Sequence, residues 1–106
     1  MDNMLDFGFA TFEEVCKELG SRLKAHRLAQ MLTQEELAGR AGVSSGTVKN
    51  LENKGQSSIE SAVRVALALG LSNDLQELFK LQVKSIAQME QAEQAKRTRA
   101  SRRVVR

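Results

Sequence analysis

Apolar residues recur at helical spacing in five stretches of this chain, most of which open on a hydroxyl side chain and close on a glycine. Phe12, Val15, Cys16, Leu19 and Leu23 follow one another at spacings of three and four, which makes one apolar stripe on an α-helix. Thr11-Phe12-Glu13-Glu14 stands before it in capping-box form, with a hydroxyl to accept an orphan N–H and a glutamate three residues on to return the bond. The pattern predicts a first helix of roughly fifteen to twenty residues. Thr33-Gln34-Glu35-Glu36 repeats the box, Ser44 precedes a short helical stretch, and Ser57-Ser58-Ile59-Glu60 has the form a third time. Gly42, Gly55 and Gly70 mark the stops, where a helix can leave through the left-handed conformation. A last helix opens at Ser72-Asn73-Asp74, and Leu75, Leu78, Phe79, Gln82, Val83, Ile86 and Met89 give it a periodic but interrupted face. Five helices and no strand pattern predict an all-α fold.

Composition agrees: there is no proline, the four aromatic residues are all Phe, and Leu, Ala, Glu, Gln and Lys are abundant. A chain of 106 residues builds one domain with tails rather than two cores. We expect a loosely ordered arm at 1–10, a helical domain at 11–92, and a basic tail at 93–106 without structure in isolation. The charge is uneven. Six of the sixteen basic residues and none of the thirteen acidic ones lie from Lys96 to Arg106, so the tail carries +6 and residues 1–95 carry −3. A binder that relies on charge alone would be basic throughout, so any nucleic-acid recognition by the body must come from a local face.

Catalysis lacks its parts. His26 is the only histidine and shares the first helix with Cys16, about 15 Å away along the axis, too far for a dyad. No phosphate-cradling glycine loop, paired-cysteine motif or histidine–glutamate metal spacing occurs, so neither metal nor cofactor is expected. Cys16, alone, reads as a small core residue. The run Val65–Leu69 falls far short of the roughly 20 apolar residues that span a bilayer. Nothing near Met1 reads as a secretory signal, which points to a cytoplasmic protein.

The informative stretch runs from Gln34 to Asn53: two short helices around one tight turn. A steep crossing needs a small residue on the first helix, a glycine in the turn, and inward apolar residues three apart on the second. Ala38, Gly42 and the pair Val48 and Leu51 supply these, with Leu37 and Val43 beside them. The opposite face of the second helix then shows Ser45, Gly46, Lys49 and Asn50. The chemistry suits base edges: Asn50 can pair bidentately with adenine, Lys49 can donate to guanine or phosphate, and Ser45 can bond several edges. Gly46 either eases the turn into the helix or leaves room for a thymine methyl.

With L-G-S-R-L-K-A-H-R, L-T-Q-E-E-L-A, A-G-V-S and A-L-A-L-G-L in order, the segment from Leu19 to Phe79 resembles the helix-turn-helix of lambdoid phage repressors and Cro-like, Xre-type regulators. The resemblance implies a compact five-helix DNA-binding domain, with the helix 44–53 in the major groove and the preceding one across the backbone. It places Ser44, Ser45, Gly46, Thr47, Lys49 and Asn50 at the DNA, Gln34 at a phosphate, and Asn53 and Lys54 in a loop along the backbone. It also implies a structural salt bridge between Arg27 and Glu52. Met31, Lys54 and Ser57 depart from the family pattern, standing where glycine, glycine and proline are common. The implied function is a transcriptional repressor, bacterial or phage-encoded, that binds a palindromic operator as a homodimer. Leu75, Leu78, Phe79, Val83 and Ile86 either form the dimer surface or close the monomer's own core. The tail could follow phosphates or bind a protein; with S-I-A-Q-M-E-Q-A-E before it, it resembles the end of antitoxins that pair with HipA-like kinase toxins. The rival class is a helical protein–protein adaptor, which would show large apolar residues on the outward face of the helix 44–53.

Overall fold

A computed structural model describes residues 5–82 and 86–104, with backbone only for 99–104. A 3-10 turn at Phe7–Phe9 precedes helices α1 (Phe12–Ala29), α2 (Gln34–Ala41), α3 (Ser45–Lys54), α4 (Ile59–Ala68), α5 (Ser72–Glu77) and α6 (Ile86–Val104), and no strand occurs among the described residues. Local chemistry sets most of the boundaries. The Glu14 amide donates to Thr11 Oγ1 at 3.1 Å while the Thr11 amide donates to the Glu14 carboxylate at 2.9 Å. Thr33 and Glu36 close the same box at 3.0 and 2.8 Å. Helix α3 is capped by Ser44 one residue before its first turn.

At α4 the cap moves by one residue. The Ser61 amide donates to Ser58 Oγ at 3.0 Å, and Ser57 Oγ donates to the Ser58 carbonyl at 2.8 Å. The spacing Ser57 to Glu60 therefore closes no box; Glu60 instead meets Arg64 one turn on, at 3.1 Å. Helices α2 and α3 both end on a glycine in the left-handed region, Gly42 at φ 73° and Gly55 at φ 66°. Met31, in the family's glycine position, takes the same region at φ 59° and points to solvent.

Leu37, Val48 and Val65 are fully buried and form the centre of the core, joined by Leu32, Ala38, Ala41, Leu51 and Leu69. Helix α2 packs on α3 and α4, and α1 packs on α3. The stripe predicted for α1 is only partly used. Its inward face runs through Cys16, Gly20, Leu23 and Arg27, whereas Phe12 is 75% and Leu19 45% exposed. Cys16 is half-buried rather than a core residue. Gly20 explains the difference: α1 lies so close to α3 that a Cβ there would overlap the Leu51 carbonyl oxygen. A larger apolar residue on that line would hold the helices apart.

The last predicted helix is two. Helix α5 ends at Glu77, Leu78 turns to extended backbone, and Phe79 takes φ 59°, which breaks the i to i−4 ladder. Little tertiary packing is available to keep it going, since Leu78, Phe79 and Leu81 are all exposed. Helix α6 then runs on to Val104, so the segment expected to lack structure is helical. Its Gln, Ala, Glu, Lys and Arg residues are strong helix formers, and neither Gly nor Pro interrupts them. The N-terminal arm is also tied down in part, with the Arg22 guanidinium 5.1 Å from the centre of the Phe7 ring. Val83, which the predicted dimer face included, lies outside the described residues, as do 1–4 and 105–106.

Candidate nucleic-acid interface

The turn between α2 and α3 is Gly42-Val43-Ser44, and it is built from backbone. The Gly42 and Val43 amides both turn back to the Ala38 carbonyl, the latter at 3.0 Å. Ser44 Oγ then accepts the Thr47 amide at 3.0 Å and lies 2.9 Å from Thr47 Oγ1. The first turn of α3 is thereby fixed in direction before any ligand arrives. At the α2 end, the hydrogen bond from the Thr33 backbone N–H, with the Thr33 side chain beside it, holds the Glu36 carboxyl below its ordinary pKa. The stability that this box adds is present above the ordinary carboxylate value and is lost as pH falls through the lowered one.

A buried ion pair locks α3 from behind. Arg27 Nε donates to Glu52 Oε2 at 2.7 Å, and Arg27 Nη2 donates to Oε1 at 3.0 Å, a bidentate pair. The side chains are 8% and 0% exposed. Arg27 Nη1 also donates to the Leu32 carbonyl at 2.7 Å, and Gln34 Nε2 donates to Glu52 Oε1 at 3.0 Å. One cluster therefore joins α1, the loop after it, the start of α2 and the end of α3. Hydrogen bonding to Glu52 raises the Arg27 pKa further above its already basic value, against the opposing effect of burial.

With Val48, Leu51 and Glu52 turned inward, Gly46, Lys49, Asn50 and Asn53 are exposed and Ser45 is half-exposed on the other side of α3. Lys49, Asn50 and Asn53 side chains make no hydrogen bond or ion pair within the described residues, so their donors and acceptors are open to a ligand. Lys54 closes α3 at the rim, also exposed. The other residues expected at the site are placed differently. Ser44 and Thr47 hydroxyls are engaged with each other at the cap, and the Gln34 amide nitrogen is committed to Glu52. Gln34 can still present its backbone N–H, since it is the first residue of α2.

Gly46 is not required by packing. A Cβ built on it would have Ser44 Oγ at 3.8 Å as its nearest neighbour, an ordinary contact. Gly46→Ala is therefore expected to leave the fold intact and to raise stability by up to about 1 kcal/mol, because glycine is a poor helix former. Thermal melts check the first part. A drop in DNA affinity beside that gain would show that the open position matters at the groove.

One residue that shapes this face escaped the sequence patterns: Gly20 permits the close approach of α1 to α3. Gly55, expected as a helix stop, also sets its backbone against Cys16 and Lys17, where a Cβ would overlap the Cys16 carbonyl. The signal of Gly20 was faint: Cys16, Gly20, Leu23 and Arg27 share helical spacing, but two of the four are not apolar.

A family model described as helix-turn-helix matches residues 23–75, half of the chain, and spans all of α2, α3 and α4. No match to a curated protein was found. No helix among the described residues is long and apolar enough to cross a membrane. The matched segment contains the capped α2, the left-handed Gly42, the outward face of α3 and the Arg27–Glu52 pair behind it. On that match and an all-helical architecture, the chain belongs to the helix-turn-helix family of Xre and lambda-repressor-like DNA-binding regulators.

Proposed function

We propose that the protein is a repressor that binds a palindromic operator as a homodimer, with α3 in the major groove and Asn50 as its principal base reader. One observation carries this reading. The outward side of α3 is a row of exposed groups, Lys49, Asn50 and Asn53, whose side chains have no partner among the described residues, on a helix whose inward side is rigidly held. An adaptor would offer large apolar residues there, and α3 has none on that face. The dimer reading is supported by Leu78, Phe79 and Ile86, which are exposed at the far end of the chain. Two copies joined there would read half-sites about 34 Å apart. Ser45, Gly46, Gln34 and Lys54 are assigned supporting contacts, the last two to the sugar–phosphate backbone.

The experiment is in-vitro selection of a duplex from a random pool, followed by titration of that duplex and of a scrambled one. Asn50→Ala is expected to cost about 1–3 kcal/mol on the selected duplex and little on the scrambled one. Equal losses on both would remove Asn50 as a base reader. Failure to enrich any sequence would remove the operator.

A second reading is favoured by the +6 segment from Lys96 to Arg106, which lies outside the matched residues. In it the tail grips an acidic protein surface, as in an autoregulating antitoxin bound to a HipA-like kinase toxin. Truncation after Gln94 separates the two roles: a flatter salt dependence of DNA binding assigns the tail to phosphates, and an unchanged one assigns it to a protein.

A further inference from the structure

The loop that follows α3 rests on helix α1. Gly55 lies against the backbone at Cys16 and Lys17, and one turn further along α1 Gly20 lies against the Leu51 and Glu52 carbonyls. Lys17 stands three residues before Gly20 and so shares its side of the helix. Its side chain is exposed. No hydrogen bond, ion pair or ring contact engages it among the described residues. Two other cations of α1 are occupied. Arg22 is 3.0 Å from Glu18 and stacks on Phe7, and Arg27 is buried on Glu52.

We propose that Lys17 is a phosphate-binding residue, which carries the DNA-backbone contact of the last turn of α3, at Asn53 and Lys54, onto α1; both residues are helical rather than in the loop expected for them. The inference rests on the reading of α3 as the major-groove helix. Lys17 lies outside the segment that the family model matches, so the family pattern does not supply it. Charge makes the contact useful. Residues 1–95 carry −3, and the reading helix and its loop hold only Lys49 and Lys54 as cations. A duplex seated against α3 and its loop passes the edge of α1 on which Lys17 stands. A lysine there is a mobile point charge on a long stem, suited to a phosphate whose exact position varies. The competing structural role is to neutralise the carbonyl-rich end of α3, whose macrodipole favours a nearby cation.

Titration of a labelled mixed-sequence duplex over a salt series separates the two roles. For Lys17→Gln the slope of log K against log salt is expected to become shallower by about 0.9, so the affinity lost between about 50 and 200 mM salt shrinks about 3.5-fold. Lys17→Arg should keep the wild-type slope. Arg22→Gln, on the opposite side of the same helix, should keep it as well. All three should melt close to the wild type. An unchanged slope for Lys17→Gln overturns the proposal, and a lowered melting temperature beside it would assign the lysine to the helix end. If the wild type shows no salt-dependent binding to the duplex, the major-groove reading fails first and Lys17 falls with it.

Discussion

Arg27→Met is expected to destabilise the domain by about 3–5 kcal/mol, because it leaves the Glu52 carboxylate buried without its cation. The Glu52 side chain is wholly inaccessible, and two of the three hydrogen bonds it accepts come from Arg27. Its one remaining donor would be the Gln34 amide. Arg27 would also abandon the Leu32 carbonyl, which it meets at 2.7 Å. Small domains hold only about 5–15 kcal/mol in total, so the variant should unfold at much lower urea than the wild type. Removing both charges, as in Arg27→Met with Glu52→Leu, should recover most of the loss, since a buried pair can often be replaced by apolar residues at little cost. Urea titrations of both variants check this. A double variant as unstable as the single one would mean that the hydrogen bonds to Leu32 and Gln34, rather than the charge, hold the cluster.

The second large effect is expected at Gly20. Alanine there would drive a methyl group into the Leu51 carbonyl and against that of Glu52, both backbone atoms near the end of α3. Overpacking of a core costs about 1–3 kcal/mol when side chains can move aside. Backbone cannot do so without shifting α1 away from α3, so the loss should sit at or above the top of that range. At about 4–8 °C per kcal/mol for a domain of this size, the melting temperature would fall by more than about 12 °C. A calorimetric scan decides the matter, and a shift of only a few degrees would mean that α1 slides freely along α3. Because that shift also moves the Arg27 guanidinium relative to Glu52, the two predictions share one interface and should not add independently.

What the sequence made legible was local. Thr33 with Glu36, Ser44, Gly42 and Gly55 act within a few residues of themselves, and each marks a boundary of α2 or α3 where its chemistry places it. Burial of Val48 and Leu51 fixes the rotation of α3, which is why the outward row could be read from spacing alone. Features that depend on a partner far along the chain were hidden. Gly20 looks like any glycine until α3 is laid beside it, and nothing in the spacing of Glu52 marks it as buried; its pairing with Arg27 came from family resemblance. Periodicity also misled where no surface waited to receive it: Leu75 to Met89 repeats well enough for one helix, yet the chain turns at Leu78 and Phe79. At α4 two adjacent serines competed for one cap, and the hydrogen bond to Ser61 settled it in favour of Ser58.

The open space at Gly46 has an evolutionary side. Most positions of a short helix are constrained twice, once by the core and once by the ligand, so a change that suits one often offends the other. Position 46 is exposed, meets only Ser44 Oγ and that at an ordinary contact distance, and lies close to the cap that starts the helix. A Cβ introduced there meets no clash from the fold. If α3 reads DNA as proposed, this is the place where the lineage can change which sequence it recognises while keeping the same scaffold, and where a designer should begin.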